Sequence, residues 1–336
     1  MKIEELNSLI KSGKISGIYF FYGEEWYLLE KKIEAICKKI VAPGTEVFNL
    51  FKFEGDKVPV SEILTAVDQF PQMSEKKLII VKNTGILNNA TLSDFKLIKG
   101  VAEHIHDDTC LVIIERNFDK KKLKNIEFIE ENGGIVNFEY MPVNKLEVWL
   151  SEFFKKEGKT VLDKDIKYLI NLCGQSLGNL SKESEKLVGY IGDRLKITRE
   201  DIDEVVEKTV EYRVYDMLDN VVSNRGAKAY EQMKYLRDVA REDPSYILGL
   251  MMSRLSELLM CKLLKEDGLS SNEIAGYFDF KRPTFAINKI IDESRRFGEK
   301  YLKRLIDKGL YYDVEFKQGR MTAWSAVELY LAELTK

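Results

Sequence analysis

The sequence predicts an N-terminal α/β domain built on a mostly parallel sheet, followed by two all-α domains. Three observations carry this reading. Short β-branched and aromatic runs alternate with helix-period segments up to residue 142. Two of those runs, Leu78–Val81 and Leu111–Ile114, are continuously apolar, as expected of strands buried on both faces. Beyond Met141-Pro142 only helical periodicity remains.

Taken in order, Ile18–Phe21 is the first predicted strand. Tyr22-Gly23-Glu24-Glu25 turns the chain, and Trp26–Leu29 opens a helix with Leu29, Ile33, Ile36 and Ile40 on one face. Val47–Phe53 reads as a second strand. Ile63, Leu64, Val67 and Phe70 line the inner side of the next helix. Leu78–Val81, a helix over Leu92–Ala102, Leu111–Ile114 and Ile135–Phe138 complete the domain. Residues 143–210 then read as a small helical domain. Its helices carry Leu146, Leu150 and Phe153, then Ile166, Leu169 and Ile170 behind a cap at Asp163, then Leu177, Leu180, Leu187 and Val188. Gly174 suits a helix end, and Thr198 with Asp201 resembles a capping box. Residues 211–336 form a second helical domain. Asp243-Pro244 marks a helix start, and Ser270 with Glu273 marks another. Ile247, Leu248, Met251, Met252, Leu255, Leu258 and Leu259 make a wide apolar stripe; Leu302, Leu305, Ala326, Leu329 and Tyr330 extend it.

Composition narrows the function classes. The 336 residues are 45% hydrophobic and 32% charged, with a formal net charge of −3, which excludes a basic nucleic-acid coat. The N-terminus has no signal-peptide pattern, and no apolar run has membrane-spanning length. Cys37, Cys110, Cys173 and Cys261 are widely spaced and read as reduced thiols of a cytosolic protein, with no zinc-ligand spacing. No metal or cofactor is expected. His104 and His106, beside Asp107 and Asp108, read as a solvated loop or helix end rather than a metal site.

The joint at Gly23-Glu24-Glu25 has the place of a phosphate-binding loop and the wrong chemistry. Such loops carry glycines, a lysine and a serine or threonine, whose amides and ammonium meet phosphate. Here two carboxylates stand at a helix N-terminus. They suit the helix dipole and would repel a triphosphate. Gly158-Lys159-Thr160 has Phe153 where the first phosphate-loop glycine belongs and reads as a turn between helices. Glu115 after the strand Leu111–Ile114 reads as a strand-end salt bridge, with a Mg²⁺-binding role or an arginine-finger role for Arg116 as the alternatives. No catalytic residue is assigned.

Phe70-Pro71-Gln72-Met73 exposes large apolar side chains at a helix end unless they fold back on the domain; otherwise they anchor a partner. Ser74-Glu75-Lys76-Lys77 behind them reads as a solvated turn. Lys120–Lys122 with Lys124, and Lys300 with Lys303 and Arg304, read as solvated basic runs. Lys281, Arg282, Arg295, Arg296, Lys317 and Arg320 make the C-terminal part locally basic, a candidate phosphate contact. Ser270–Ile291 resembles a helix-turn-helix, but its second helix would open with Thr284, Phe285, Ala286 and Ile287, which favours packing over base reading.

These pieces, in this order, resemble the delta-subunit family of the bacterial DNA polymerase III clamp loader over nearly the whole chain. The resemblance rests on Tyr22-Gly23-Glu24-Glu25 through Leu29, Phe70-Pro71 through Asn83, and Leu172-Cys173-Gly174 with Leu177, Leu180, Glu183 and Lys186-Leu187. It rests further on Arg241-Glu242-Asp243-Pro244, Ile247-Leu248 and Glu273-Ile274-Ala275. It implies an AAA+-like, RecA-type module over residues 1–142 and 143–210 that has lost ATP binding, and a helical collar over 211–336. It also implies a subunit of the DNA polymerase III holoenzyme without catalysis of its own. That subunit binds the sliding clamp (the beta subunit) and helps open it for loading on primed DNA, beside gamma/tau and delta prime partners that handle ATP. Carried over residue by residue, clamp contact falls on Phe70, Pro71, Gln72 and Met73, with Phe70 and Met73 as the expected anchors. The pair of adjacent large apolar residues common in the family is interrupted here by Pro71-Gln72. Lys317, Gly319 and Arg320 are the candidate DNA or collar contact. Two other readings of the sequence are an AAA+ ATPase with a divergent phosphate loop and a helix-turn-helix regulator.

Overall fold

The computed structural model describes residues 1–55, 58–88, 91–116, 118–278 and 284–335. The first part of the chain runs α1 (Ile3–Ser12), β1 (Gly17–Gly23), α2 (Trp26–Ile40), α3 (Glu46–Asn49), β2 (Leu50–Glu54), α4 (Val60–Asp68) and β3 (Lys77–Lys82). It continues through α5 (Leu92–His104), β4 (Thr109–Glu115), a 3-10 turn (Lys120–Ile126), α6 (Glu127–Glu131) and β5 (Gly133–Phe138). The strands form one sheet in the order β2-β3-β4-β1-β5, and every neighbouring pair is parallel.

Alternation along the strands builds two cores. Ile18, Phe20, Ile79, Val81, Leu111 and Ile113 face one side, against Ile63, Ala66 and Val67 of α4, Ile98 of α5 and Ile129 of α6. Tyr19, Phe21, Leu78, Ile80, Val112 and Ile114 face the other, against Leu6 of α1 and Leu29, Ile36 and Ile40 of α2. A sheet covered on both faces explains why β3 and β4 read as unbroken apolar runs.

Three sequence expectations are corrected here. Val47 and Phe48 lie in α3 rather than in a strand, because Asn49 turns inward while Val47 is 87% and Phe48 47% exposed. Their β propensity yields to tertiary hydrogen bonding at Asn49. Phe70 lies beyond the end of α4 and is exposed instead of packing on its inner side. The helix α1 adds an element to one face of the sheet that the sequence reading did not contain.

The remaining elements are helical. They are α7 (Val143–Lys156), α8 (Asp163–Cys173), α9 (Leu177–Ile191), α10 (Arg199–Val205), α11 (Val210–Val222), α12 (Gly226–Asp238), α13 (Pro244–Glu266), α14 (Ser271–Ala275), α15 (Thr284–Ser294), α16 (Glu299–Lys317) and α17 (Ala323–Leu334). In α7 it is Phe154, not Phe153, that joins Leu146 and Leu150 inside. Asp163 is the first helical residue of α8 and Leu162 its cap position; Gly174 closes that helix at φ 73°. Reciprocal capping boxes form at Thr198/Asp201 and Ser270/Glu273, and Asp243 accepts the Ser245 N–H at the start of α13.

The helices from Val214 to Leu334 share one core, with Met251, Leu255, Leu302, Leu305, Val327 and Tyr330 at its centre. Ile287, Ile290 and Ile291 of α15 are buried in it, which supports packing over base reading for the Ser270–Ile291 segment. Lys281, Arg282 and Pro283 lie outside the described residues, and so do the side chains of Thr284, Phe285 and Ala286. Leu329 faces solvent, so its expected place inside is taken by Val327 and Leu331. At the contact of α16, α13 and α17, a Cβ on Gly309 would lie 2.7 Å from Met252 Cγ and 2.8 Å from the Tyr330 hydroxyl. Arg254 of α13 is buried; it pairs with Glu257 at 3.4 Å and with Glu293 of α15, and stacks on Tyr215 at 5.2 Å.

Contacts divide the chain into two compact units, Met1–Tyr140 with Ser176–Gly178, and Met141–Gln175 with Asn179–Lys336. Among the described residues no helix is long and apolar enough to cross a membrane.

Candidate functional site

Two ends of the parallel sheet carry different chemistry. At the C-terminal end of β1 stands the joint that resembles a phosphate loop. Gly23 has φ 127°, and a Cβ there would lie 2.4 Å from the Phe138 carbonyl oxygen. Its glycine therefore serves the close pairing of β1 with β5.

Glu25 follows as the N-cap position of α2 and is fully buried. Its own N–H donates to Phe138 O at 2.8 Å. One carboxylate oxygen accepts the N–H of Leu177 at 2.9 Å; Ser176–Gly178 belongs to this first unit. Burial pushes the Glu25 carboxyl above the usual carboxylate range, against the lowering effect of the amides of Leu177, Leu28 and Tyr27.

Trp26 donates from its indole to Glu30 at 2.8 Å, while Lys82 and Arg116 both sit 5.1 Å from its ring. Glu115, at the end of β4, accepts the Gly85 N–H at 2.8 Å and the Thr84 hydroxyl at 3.4 Å. The loop after β3 thus supplies hydrogen-bond donors to this strand-end carboxylate. Gly158-Lys159-Thr160 is a turn: Lys159 donates to the carbonyls of Gly192 and Arg194, and Thr160 bridges to Lys196.

The N-terminal end of the sheet carries Phe70-Pro71-Gln72-Met73, between α4 and β3. Phe70 is 74% and Met73 88% exposed, and Met73 holds φ 53°, in the left-handed region that β-carbon sterics disfavour. Neither side chain is buried against the domain.

What holds the loop are residues that sequence reasoning assigned elsewhere. Asn49 is fully buried at the end of α3. Its amide donates to Gln72 O at 2.7 Å, and its carbonyl accepts the Gln72 N–H at 2.8 Å. Lys77, expected in a solvated turn, is buried. Its ammonium donates to Ala66 O at 2.8 Å and to Val67 O and Gln69 O, closing the C-terminus of α4. Desolvation pulls the Lys77 ammonium below the usual lysine range, opposed by Asp108 and Asp68. Lys76 donates to Gly13 O at 3.1 Å and Ile15 O at 3.0 Å. The His106 ring lies 6.4 Å from that of Phe70, and no cluster of three or more metal-ligating side chains occurs among the described residues. The missed signal was the lysine pair Lys76-Lys77 at the start of β3, one loop beyond a helix end; it was read as charge, whereas the terminal carbonyls of that helix needed donors.

In the second unit, Gly319 has φ 75° just past α16. Lys317 pairs with Asp313 at 2.7 Å, and Arg320 with Glu315. Both basic side chains are exposed, so these pairs leave them available. Arg295 pairs with Asp292, Lys303 with Glu299 and Lys120 with Glu139. None of the four cysteines is in a disulfide; burial pushes the Cys110 and Cys173 thiols up to about 12.

Comparison with known proteins decides the family. A family profile described as "DNA polymerase III, delta subunit" matches residues 19–139, and one described as "DNA polymerase III delta subunit, C-terminal domain" matches residues 211–334. The chain belongs to the DNA polymerase III delta-subunit family. It is thereby a delta subunit, a clamp-loader component. DNA polymerase III subunit delta of Bacillus subtilis (strain 168) is 25% identical over 338 residues, covering 97% of this chain and 95% of its own. A probable DNA polymerase III subunit delta of Aquifex aeolicus (strain VF5) is 22% identical over 265 residues, 76% of this chain and 73% of its own. The solved Bacillus subtilis DNA clamp loader delta protein superposes with a TM-score of 0.59 at 23% identity, over 99% of both chains, and so shares the fold.

Proposed function

We propose that this delta subunit binds the sliding clamp through Phe70 and Met73 and helps open it for loading on primed DNA, without hydrolysing ATP itself. The observation that carries the reading is a loop whose backbone is fixed at Gln72 by Asn49 while its two largest apolar side chains face solvent. Exposed aromatic and methionine side chains on a pinned backbone make efficient anchors, since little conformational entropy is lost on docking.

Opening would proceed by population shift. Moving a ring interface from 1:99 to 99:1 open requires about 5.5 kcal/mol of differential affinity. Fully burying two such side chains supplies about 3–6 kcal/mol. The two therefore suffice only when their pocket is engaged mainly in the opened ring. No bond is made or broken by this chain in that scheme.

In the proposed arrangement residues 1–142 form the AAA+-like module, 143–210 its lid-like helical part and 211–336 the collar that meets gamma/tau and delta prime subunits. The complex acts in the cytoplasm, with Lys317, Gly319 and Arg320 as the candidate DNA or collar contact. The buried Glu25 supports the assignment of ATP chemistry to other subunits, because a nucleotide phosphate would have to displace a carboxylate from the amides of Leu177, Leu28 and Tyr27.

The test is a calorimetric titration of the full chain with the sliding clamp of the same organism. Phe70→Ala with Met73→Ala is expected to abolish binding while the circular dichroism spectrum is unchanged. Retained affinity would overturn the assignment.

A further inference from the structure

We propose that the clamp-docking surface is composite: α3 adds Val47 and Phe48 to Phe70 and Met73, and Asn49 is the positioning residue that joins the two pieces. The inference rests on the clamp-binding reading and adds the second half of its surface.

Topology brings the pieces to one edge. α3 leads into β2, the Phe70–Met73 loop leads into β3, and β2 and β3 are paired neighbours with Leu50 opposite Leu78. Strands so paired run about 4.8 Å apart, so the two leading segments emerge side by side at the same end of the sheet. Asn49 makes that neighbourhood a fixed one. Its carboxamide takes both the N–H and the C=O of Gln72, a two-point contact that sets the orientation of the peptide between Pro71 and Met73.

Exposure on α3 is otherwise unexplained. A four-residue helix presents Val47 at 87% and Phe48 at 47% to solvent while burying its one polar amide. The residue types are thus inverted from what a solvated helix carries. Area supports the same conclusion. A specific interface removes about 800 Å² from each partner, and an aromatic side chain contributes about 150–250 Å². Phe70 and Met73 alone fall well short of that. The apolar surface next to them, held by Asn49, is α3. Continuity with the loop assigns it to the same occupant, the sliding clamp, rather than to a separate partner.

The experiment uses the full chain, the clamp of the same organism and surface plasmon resonance. Val47→Ser with Phe48→Ser is expected to weaken binding at least tenfold with an unchanged melting temperature, both side chains being solvent-facing. Asn49→Ala is expected to weaken binding and to speed amide exchange at Gln72, with the amides of β2 and β3 keeping their protection; Asn49→Asp, which still accepts the Gln72 N–H, is expected to fall between. Should folding of the double variant suffer, Val47→Glu alone gives the same readout. Undiminished affinity of the Val47 and Phe48 variants, beside a loss in Phe70→Ala with Met73→Ala, would overturn the composite surface and leave the loop reading standing. Absence of clamp binding by the unsubstituted chain would overturn the loop reading itself and the composite surface with it.

Discussion

The Lys77 ammonium donates to the Ala66 carbonyl at 2.8 Å, across the turn that carries the Phe70–Met73 loop. Val67 and Gln69 share the same donor. One buried cation therefore closes a helix end and fixes where the loop begins.

Lys77→Met keeps the aliphatic stem and removes the donor. Three carbonyls at a buried helix end then lose their partner, at a cost of about 1–3 kcal/mol. Urea denaturation should show that loss as a lower midpoint with an unchanged slope. Limited proteolysis should show faster cleavage between Gln69 and Lys76. An unchanged midpoint would mean that water replaces the ammonium.

Glu25 gives a prediction with a defined sign in pH. Its folded carboxyl is raised by burial above the unfolded value of 4.5. A raised acid contributes stability that is fully present below the unfolded pKa and is lost as pH rises through the folded one. Glu25→Gln cannot ionise and lacks that loss. The melting temperature of the native chain minus that of the variant should therefore fall as pH rises from about 4.5 through the folded pKa. A difference independent of pH would show that the carboxyl is as well solvated by amides as by water.

Gly309 and Tyr330 form a steric pair. Gly309→Ala places a methyl within 2.8 Å of the tyrosine hydroxyl, and overpacking of this kind costs about 1–3 kcal/mol. The hydroxyl itself is buried with no hydrogen-bond partner among the described residues, and burial raises its pKa. Tyr330→Phe should thus be neutral or stabilising, and should recover part of the Gly309→Ala loss in the double variant. Additive losses in a thermal denaturation cycle would refute the coupling.

Arg254 tests the C-terminal core. Removing one member of a buried ion pair leaves the remaining charges unpaired, at about 3–5 kcal/mol. Arg254→Ala takes the buried guanidinium from Glu257 and Glu293, the latter keeping Lys289 at 3.6 Å, and should lower stability toward the lower end of that range. A loss under about 1 kcal/mol would place the network in the class of exposed pairs.

The sheet and most helices were legible because both depend on local pattern. β3 and β4 are unbroken apolar runs, and the caps at Thr198, Asp243 and Ser270 involve residues two or three positions apart. The Phe70–Met73 loop was legible as an apolar segment at a helix end, with its exposure left open. What supports it was not. Asn49 meets Gln72 across 23 positions, and the charge of Lys77 concealed its burial at a helix end. Val47 and Phe48 were misread for the same reason: β propensity is a local property, and the bond that ends α3 is a distant one. Gly23 was legible as part of the turn after β1, whereas the Phe138 carbonyl that requires a glycine there belongs to β5, far along the chain.

A phosphate held by backbone amides comes and goes with its concentration. The Glu25 carboxyl, held by the same kind of donor at 2.9 Å from Leu177 N, is tethered to the chain itself. It cannot be diluted away, competed off by a close analogue at low concentration, or depleted when the cell starves. The joint between β1 and α2 thus carries its own acceptor, whether or not an anion is present.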